Sequence, residues 1–386
     1  MKVLFVTRGF PSDKNPMDGN YEAVQAKAIA KKGHEVAVVS IRFRSLLHIF
    51  EHGKVVHRFE DNVDVYICTC FILFIPFIFN VSIPIVNRRL SLWAYKHVVK
   101  RYISEKGMPD IVHAHSMFCA GPVAFLKDDY HLPFVITEHW SEMYKDIISE
   151  WQKRNASIYY KADRIICVSQ VLADSVKRKF QIDSIVINNM VSDLFFKTKK
   201  VIRSDGNFKF IACGAFRKNK IKGFDLLVDA FALAHFPDNV HLSIVGDGED
   251  RPFIEHKIAE YNLSNQIHLL GLKTPEDVSD LLRQSDCFVL SSRLETFSIV
   301  VIEAMAKGLP VVATKCGGPE TFLLPEHGIL VEKENIKELA NAMQCMIEHH
   351  TDYNSDNIRK YCYDHFSQDV IADQIIGVYN KVLNHY

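Results

Sequence analysis

Neither sign of charge prevails in this sequence. Over 386 residues, 46 Lys and Arg balance 46 Asp and Glu, which excludes a global field that would gather the chain on nucleic acid or repel an acidic substrate. No close internal repeat and no low-complexity tract occurs, so solenoids and disordered tails are excluded. No Gly-x-Gly-x-x-Gly opens a helix after the first apolar run, which tells against a dinucleotide-binding oxidoreductase. The nine cysteines are odd in number and scattered, mostly inside apolar runs such as Ile165-Ile166-Cys167-Val168. They read as reduced core residues of a cytoplasmic chain and not as a disulfide framework. The opening run Met1–Thr7 is too short for a secretory h-region and is expected as a first strand.

One apolar stretch is long enough to cross a bilayer on length alone. Val65–Asn87 holds about 23 residues without a charge. Pro76, Asn80 and Pro84 interrupt it, and β-branched and aromatic residues fill it, so a strand near Val63–Thr69 followed by an apolar loop is expected. Two further readings stay open: contact with a membrane surface, helped by Arg42, Arg44, Arg88 and Arg89, and a true span.

A chain of this length with 48% hydrophobic residues buries two ordinary cores. Strand-like and helical stretches alternate from the start: Lys2–Thr7, then Tyr21–Lys32 ending at Gly33, then His34–Val39, a βαβ unit. Further runs at Ile111–His113, Phe134–Thr137, Arg164–Val168 and Ser184–Ile187 complete a mainly parallel sheet over residues 1–190. Residues 191–207 are polar and read as a linker. A second series follows in residues 208–366, with strands at Phe208–Cys213, His241–Val245, Ile267–Leu270, Cys287–Leu290, Pro310–Ala313 and Gly328–Val331. Residues 367–386 form a last helix whose face of Val370, Ile371, Ile375, Val378, Tyr379 and Val382 must dock on something. Open parallel sheets bind ligands at the carboxyl ends of their strands, so chemistry is sought in the strand-to-helix loops.

The most informative of these loops runs from Ser291 to Ala306. Glu295 lies in the loop and Glu303 lies inside the apolar helical stretch Ile299-Val300-Val301-Ile302-Glu303-Ala304-Met305, where an unpaired charge is costly. A helix opened near Ser298 receives a hydroxyl cap and presents backbone N–H groups suited to a diphosphate. A carboxylate accepting from vicinal ribose hydroxyls suits Glu303, and one nearer a sugar suits Glu295.

This stretch resembles the E-x7-E motif of family 4 glycosyltransferases of GT-B fold. Gly33-His34-Glu35-Val36, Asp110–His115, Pro133–His139, Ala162–Ser169, Val245–Gly248 and Gly308–Thr314 fall in the family's order over nearly the whole chain. The resemblance implies two Rossmann-like, doubly wound domains facing a cleft, with a C-terminal crossover helix. It implies retaining transfer from a nucleotide-diphosphate sugar, without cofactor or metal ion, to a glycan or lipid-linked acceptor. No Asp-x-Asp occurs, so the metal-dependent GT-A alternative lacks its usual carboxylate pair.

Carried over residue by residue, the resemblance makes His139 and Glu295 catalytic, with His113 and His115 as competing histidines. Arg217, Lys222, Gly246, Gly248, Gly271, Leu272, Thr296, Phe297, Ser298, Ile299 and Glu303 become donor-binding residues. Gly19 and Asn20 take the first loop, where donor and acceptor approach. The chain departs from the family in having Ala215 where members often place Arg, and Thr296 and Ser298 where many have glycine. Bacterial surface-polysaccharide or lipopolysaccharide assembly, on the inner face of the membrane, is the implied setting. The same architecture also serves nucleotide-sugar epimerases, glycan phosphorylases and non-catalytic sugar-binding partners.

Overall fold

The computed structural model of the chain describes residues 1–12, 18–44, 50–71, 83–144, 148–201 and 204–386. The chain divides into two units, Met1–Ile187 with Ile371–Tyr386, and Asn188–Val370.

In the first unit, strands β1 (Lys2–Val6), β2 (Glu35–Arg44), β3 (Val55–Glu60), β4 (Val63–Phe71), β5 (Ile111–His115), β6 (Phe134–Glu138), β7 (Arg164–Cys167) and β8 (Ile185–Val186) form one sheet in the order β3-β4-β2-β1-β5-β6-β7-β8. All neighbours are parallel except β3 and β4. The central strands are buried end to end, because helices on both faces remove both rows of side chains from water. The final helix, Gln368–Leu383, buries Ile371, Ala372, Ile375, Val378, Tyr379 and Val382. From Ile371 onward it belongs to this unit, where Tyr379 reaches His113 and Asp373 pairs with Lys32.

The apolar stretch that raised the membrane question falls in three parts. Its start lies in β4, residues 72–82 of the expected loop lie outside the described residues, and residues 83–87 open the helix Ile83–Lys106 and are not loop. No helix among the described residues is long and apolar enough to cross a membrane.

In the second unit, β9 (Phe208–Cys213), β10 (Val240–Val245), β11 (Ile267–Gly271), β12 (Cys287–Leu290), β13 (Val311–Lys315) and β14 (Gly328–Glu332) form an all-parallel sheet in the order β11-β10-β9-β12-β13-β14. One face buries Phe210, Leu242, Ile244 and Val289 against the helices Phe224–Ala234 and Ile336–His349. The residues expected as a linker carry the short helix Asp193–Phe196 and bond to this unit. Lys200 N donates to the Lys307 carbonyl at 3.2 Å and Val201 N to the Arg283 carbonyl at 2.8 Å.

Both sheets reverse their winding once near the middle, between β1 and β5 in the first unit and between β9 and β12 in the second. Loops leave such a switch point in opposite directions and open a crevice at the carboxyl ends of the strands. The loops after β1, β5, β9 and β12 are therefore the candidate ligand-binding loops of each unit.

Candidate active site

In the second unit the loop after β9 is shaped by close backbone contacts. Gly246 has φ 132°, and a Cβ there would lie 1.8 Å from the Gly214 carbonyl oxygen; one on Gly248 would lie 2.2 Å from that of Phe216. Gly246 N also donates to the Gly271 carbonyl at 2.9 Å. Both glycines thus let the loop after β10 pack closely on the loop after β9.

The loop after β12 is tied to that framework by side chains. Arg293 grips Asp225 with a fork at 2.8 and 3.0 Å, donates to the Lys220 carbonyl at 2.7 Å and reaches Glu334 at 2.6 Å. Burial opposes the charge on Asp225, but the Arg293 guanidinium prevails and holds that carboxyl below its ordinary range. Ser291 Oγ donates to the Lys222 carbonyl at 3.1 Å. Glu295 Oε1 accepts from Lys222 Nζ and from Ser292 Oγ, both at 2.7 Å, while Glu295 N donates to the Cys316 carbonyl. Phe297 is wholly buried, its ring packed on Phe322 and Phe366.

Ser298 then opens the helix Ile299–Ala306, but not as a hydroxyl cap. It sits at φ 83°, ψ 79°, in a region where a residue with a Cβ is strained, and its side chain makes no capping bond. Its Oγ is buried without a hydrogen-bond partner. Eight residues beyond Glu295, Glu303 lies on the same helix near the Cys213 and Cys362 thiols. Among the described residues no cation or hydrogen-bond donor pairs with it, and burial pushes its carboxyl up to about 8. The helix Ile299–Ala306 therefore opens on an unbonded hydroxyl at Ser298 and carries an unpaired carboxyl at Glu303 in its second turn.

In the first unit, Glu138 at the end of β6 binds the loops together. Its carboxyl is fully buried and accepts from His139 N at 2.9 Å, Trp140 N at 2.8 Å, Met117 N at 3.2 Å and the Tyr159 hydroxyl. Burial raises its affinity for a proton even against these donors. Three imidazoles stack beside it: His113 on His115 at 4.6 Å and His115 on His139 at 5.4 Å, with His115 Nδ1 and His139 Nε2 3.1 Å apart. Burial drives His113 and His139 down to about 3 and His115 well below its ordinary value, so all three are neutral near pH 7.

His113 is a core residue. Its Nδ1 meets the Tyr379 hydroxyl at 2.5 Å and its Nε2 the Thr137 hydroxyl at 2.6 Å. His115 keeps a buried Nε2 without a partner. The helix Asn20–Lys31 joins the stack through Tyr21, whose ring centroid lies 4.9 Å from that of His139. Gly19, at φ 67°, opens the helix Asn20–Lys31, and a Cβ there would meet the Gly9 carbonyl at 2.3 Å. Beside Tyr21, Glu22 is buried with Oε2 unpartnered, and burial raises its carboxyl to about 7.

The structure thus gathers Lys222, Glu295, Phe297, Ser298, Ile299 and Glu303 around the loops after β9 and β12, and His139, Gly19 and Asn20 at the loops of the first unit. Arg217 is exposed, with no partner for its guanidinium among the described residues, and Leu272 is 75% exposed. Neither is joined to the Lys222–Glu295 pair. Thr296 lies in the same loop as Glu295. Arg293 and Glu138 were missed as framework residues although each stands inside a quoted motif. Tyr21 and Glu22 were missed because nothing local marks them.

Two family models match the chain: "Glycosyltransferase Family 4" over residues 23–193 and "Glycosyl transferases group 1" over residues 195–377. An uncharacterized glycosyltransferase of Methanocaldococcus jannaschii is 32% identical over 273 residues, covering 69% of this chain and 71% of its own. A putative teichuronic acid biosynthesis glycosyltransferase of Bacillus subtilis is 25% identical over 100% of this chain and 97% of its own. Among solved structures, Anabaena HepE in complex with UDP-glucose superposes with a TM-score of 0.74 at 20% identity, covering 99% of this chain and 100% of that one. With a relative this similar, and a GT-B fold of two parallel-sheet α/β units, the chain belongs to the family 4 glycosyltransferases.

Proposed function

We propose that the chain is a retaining, metal-independent glycosyltransferase that moves a sugar from a nucleotide-diphosphate donor to a glycan or lipid-linked glycan. Assembly of bacterial surface polysaccharide is the setting this reading favours, on the inner face of the cell membrane. The observation that carries it is that one helix, Ile299–Ala306, opens on the unbonded Ser298 hydroxyl and carries the unpaired Glu303 carboxyl. A buried hydroxyl without a partner is costly, and a ligand with vicinal hydroxyls and a diphosphate satisfies both it and the half-buried Glu303 carboxyl.

In this reading Glu303 accepts from the ribose hydroxyls of the donor. The helix N-terminus, Ser298 Oγ and the Lys222 ammonium take the diphosphate, whose charge grows as it leaves. The loop from Thr296 to Ile299, with Gly246, Gly248, Gly271 and Leu272, surrounds nucleotide and sugar, and the exposed Arg217 adds a second cation. Glu295 holds Lys222 and borders the sugar. In the first unit, His139 is assigned to the sugar as a neutral donor imidazole, and Gly19 and Asn20 to the acceptor. The bond from the anomeric carbon to the diphosphate breaks while the acceptor hydroxyl bonds to that carbon on the same face. The acceptor's proton passes to a phosphate oxygen. Positioning supplies much of the rate, on the order of 7 kcal/mol or more in favourable cases.

HepE binds UDP-glucose in a chain of the same fold, which makes UDP-sugars the first donors to try. Calorimetry of the protein with UDP, GDP, ADP and their sugars, in the presence of EDTA, tests the reading. One nucleotide binding the native protein and not Glu303→Ala supports it. No binding at millimolar concentration favours a non-catalytic partner, and nucleoside diphosphate release without an acceptor argues against sugar transfer.

A further inference from the structure

One face of the second unit's sheet is core, with Phe208 and Phe210 of β9, Val240 and Leu242 of β10 and Ile267 of β11 packed into it. Side chains alternate along a strand, so Lys209, Ile211, His241, Ser243 and His268 lie on the other face. Lys209 stands in register with His241, and Ile211, Ser243 and His268 form the next row. The row of Lys209 and His241 is at the amino ends of β9 and β10, opposite the ends that carry the candidate ligand-binding loops. These side chains, with Leu270 and with Leu281 and Gln284 from the end of the helix Pro275–Arg283, line a cavity of about 420 Å³.

Among the described residues no carboxylate lines it. The nearby acids are engaged outside. Asp205 is exposed at 3.5 Å from Lys209 Nζ, a pairing of little worth in water, and Asp286 accepts from Lys209 N at 2.8 Å and faces Lys200 at 3.8 Å. The His241 and His268 rings stack at 5.9 Å and 23°. His241 Nδ1 is buried without a hydrogen-bond partner. Burial, the His268 ring and the Lys209 ammonium together hold His241 below its ordinary range, so it favours the neutral form. No three His, Cys, Asp or Glu side chains among the described residues are grouped to hold a metal ion, and the lysine also tells against a cation.

A cation and polar groups on one side, with Ile211, Leu270 and Leu281 on the other, suit an anion that carries a carbon-rich part. A phosphate monoester has both. Near its second ionisation, at about pH 6, it offers negative charge to an ammonium or an O–H to an imidazole nitrogen. We propose that this cavity binds a small phosphate monoester at a site separate from that of the sugar donor, with the phosphate against Lys209 and the two imidazoles and the ester group on Ile211, Leu270 and Leu281.

Calorimetry of the full chain with phenyl phosphate and with benzyl alcohol, its uncharged counterpart, tests it. Phenyl phosphate is expected to bind the native chain and the donor-loop variant Lys222→Met alike, and benzyl alcohol to bind neither. Lys209→Met is expected to weaken phenyl phosphate by about tenfold, as loss of one charge-assisted hydrogen bond does. Thermal melting shows whether each variant is folded. Should Lys209→Met melt early, spectra of the native chain with ¹³C-labelled histidine decide, since the His268 resonance, assigned by its loss in His268→Gln, is expected to move as phenyl phosphate is added. No binding, binding lost in Lys222→Met and kept in a folded Lys209→Met, equal binding of benzyl alcohol, or an unmoved His268 resonance overturns the proposal. Phenyl phosphate binding by a chain that takes up no nucleotide would leave this site standing and overturn the transferase reading, and nucleotide binding without phenyl phosphate binding would do the reverse.

Discussion

Lys222 Nζ stands 2.7 Å from Glu295 Oε1, and the two residues lie 73 positions apart on the loops that leave β9 and β12. Both side chains are largely shielded, with Lys222 27% and Glu295 11% exposed. Removing one partner of such a pair leaves the other charge poorly solvated. Lys222→Met is expected to lower kcat/KM by roughly 10²- to 10³-fold, the size seen when a group that meets developing charge is lost. Because that charge grows only as the diphosphate leaves, kcat carries most of the loss and the donor KM changes little. Steady-state kinetics over a range of donor concentrations separates the two. A loss confined to KM would place Lys222 in ground-state binding only.

Glu303 yields a pH dependence of definite sign. Its carboxyl stands at about 8 in the folded chain, against about 4.3 for a free glutamic acid. The preference of the folded state for the protonated form is therefore fully present below about pH 4.3 and is lost as pH rises through 8. Denaturant unfolding of Glu303→Gln is expected to show a weaker fall in stability across that window than the native chain. If Glu303 meets the ribose as a carboxylate, nucleotide binding at pH 7 releases a proton. The calorimetric enthalpy then varies with the ionisation enthalpy of the buffer, and the variation disappears in Glu303→Gln.

Ser298 combines strain with an unsatisfied hydroxyl, and the two can be separated by substitution. At φ 83° a glycine removes the penalty on Cβ, and it deletes the buried Oγ that has no partner. Ser298→Gly is expected to raise stability by about 1 kcal/mol, net of the extra unfolded-state entropy. It is also expected to weaken donor binding, since the hydroxyl then offers nothing to the diphosphate. A variant that is less stable than the native chain would mean that Ser298 is held by contacts other than its hydroxyl.

The strands were legible because parallel strands buried on both faces are written as continuous apolar runs, as in Val3–Val6 and Phe208–Cys213. The hairpin partner Val55–Glu60 was not. Its half-exposed Val-Val-His-Arg-Phe-Glu has no such run, although Asp61-Asn62, both at positive φ, are the two-residue turn that marks a hairpin. Arg42 and Arg44 hid the last residues of β2 for the same reason. The carboxylates Glu295 and Glu303 stood out because Glu303 interrupts an apolar helical stretch and the segment resembles the family's E-x7-E motif. What each one meets was not legible, because Lys222 and Cys213 reach them only once β9 and β12 lie side by side. The left-handed backbone at Ser298 leaves no trace in composition, and a serine before a helix argues for a cap that does not form.

The last helix supplies a prediction about folding and not about chemistry. Tyr379 donates to or accepts from His113 Nδ1 at 2.5 Å while the Thr137 hydroxyl meets Nε2 at 2.6 Å, and all three residues are buried in the first unit. Burial keeps the imidazole neutral, so one ring nitrogen donates and the other accepts. Tyr379→Phe preserves the packing and leaves Nδ1 without a partner in a site closed to water. The expected cost is about 1–3 kcal/mol, the desolvation penalty of one orphaned polar group. His113→Phe removes the imidazole but orphans both hydroxyls, so it costs at least as much. The double variant is expected to cost less than the sum of the two, because the pair shares one interaction. Urea unfolding of the single and double variants measures that coupling. Strictly additive losses would mean that the hydroxyl and the imidazole do not exchange a hydrogen bond, and that the helix is held to β5 by its apolar face alone.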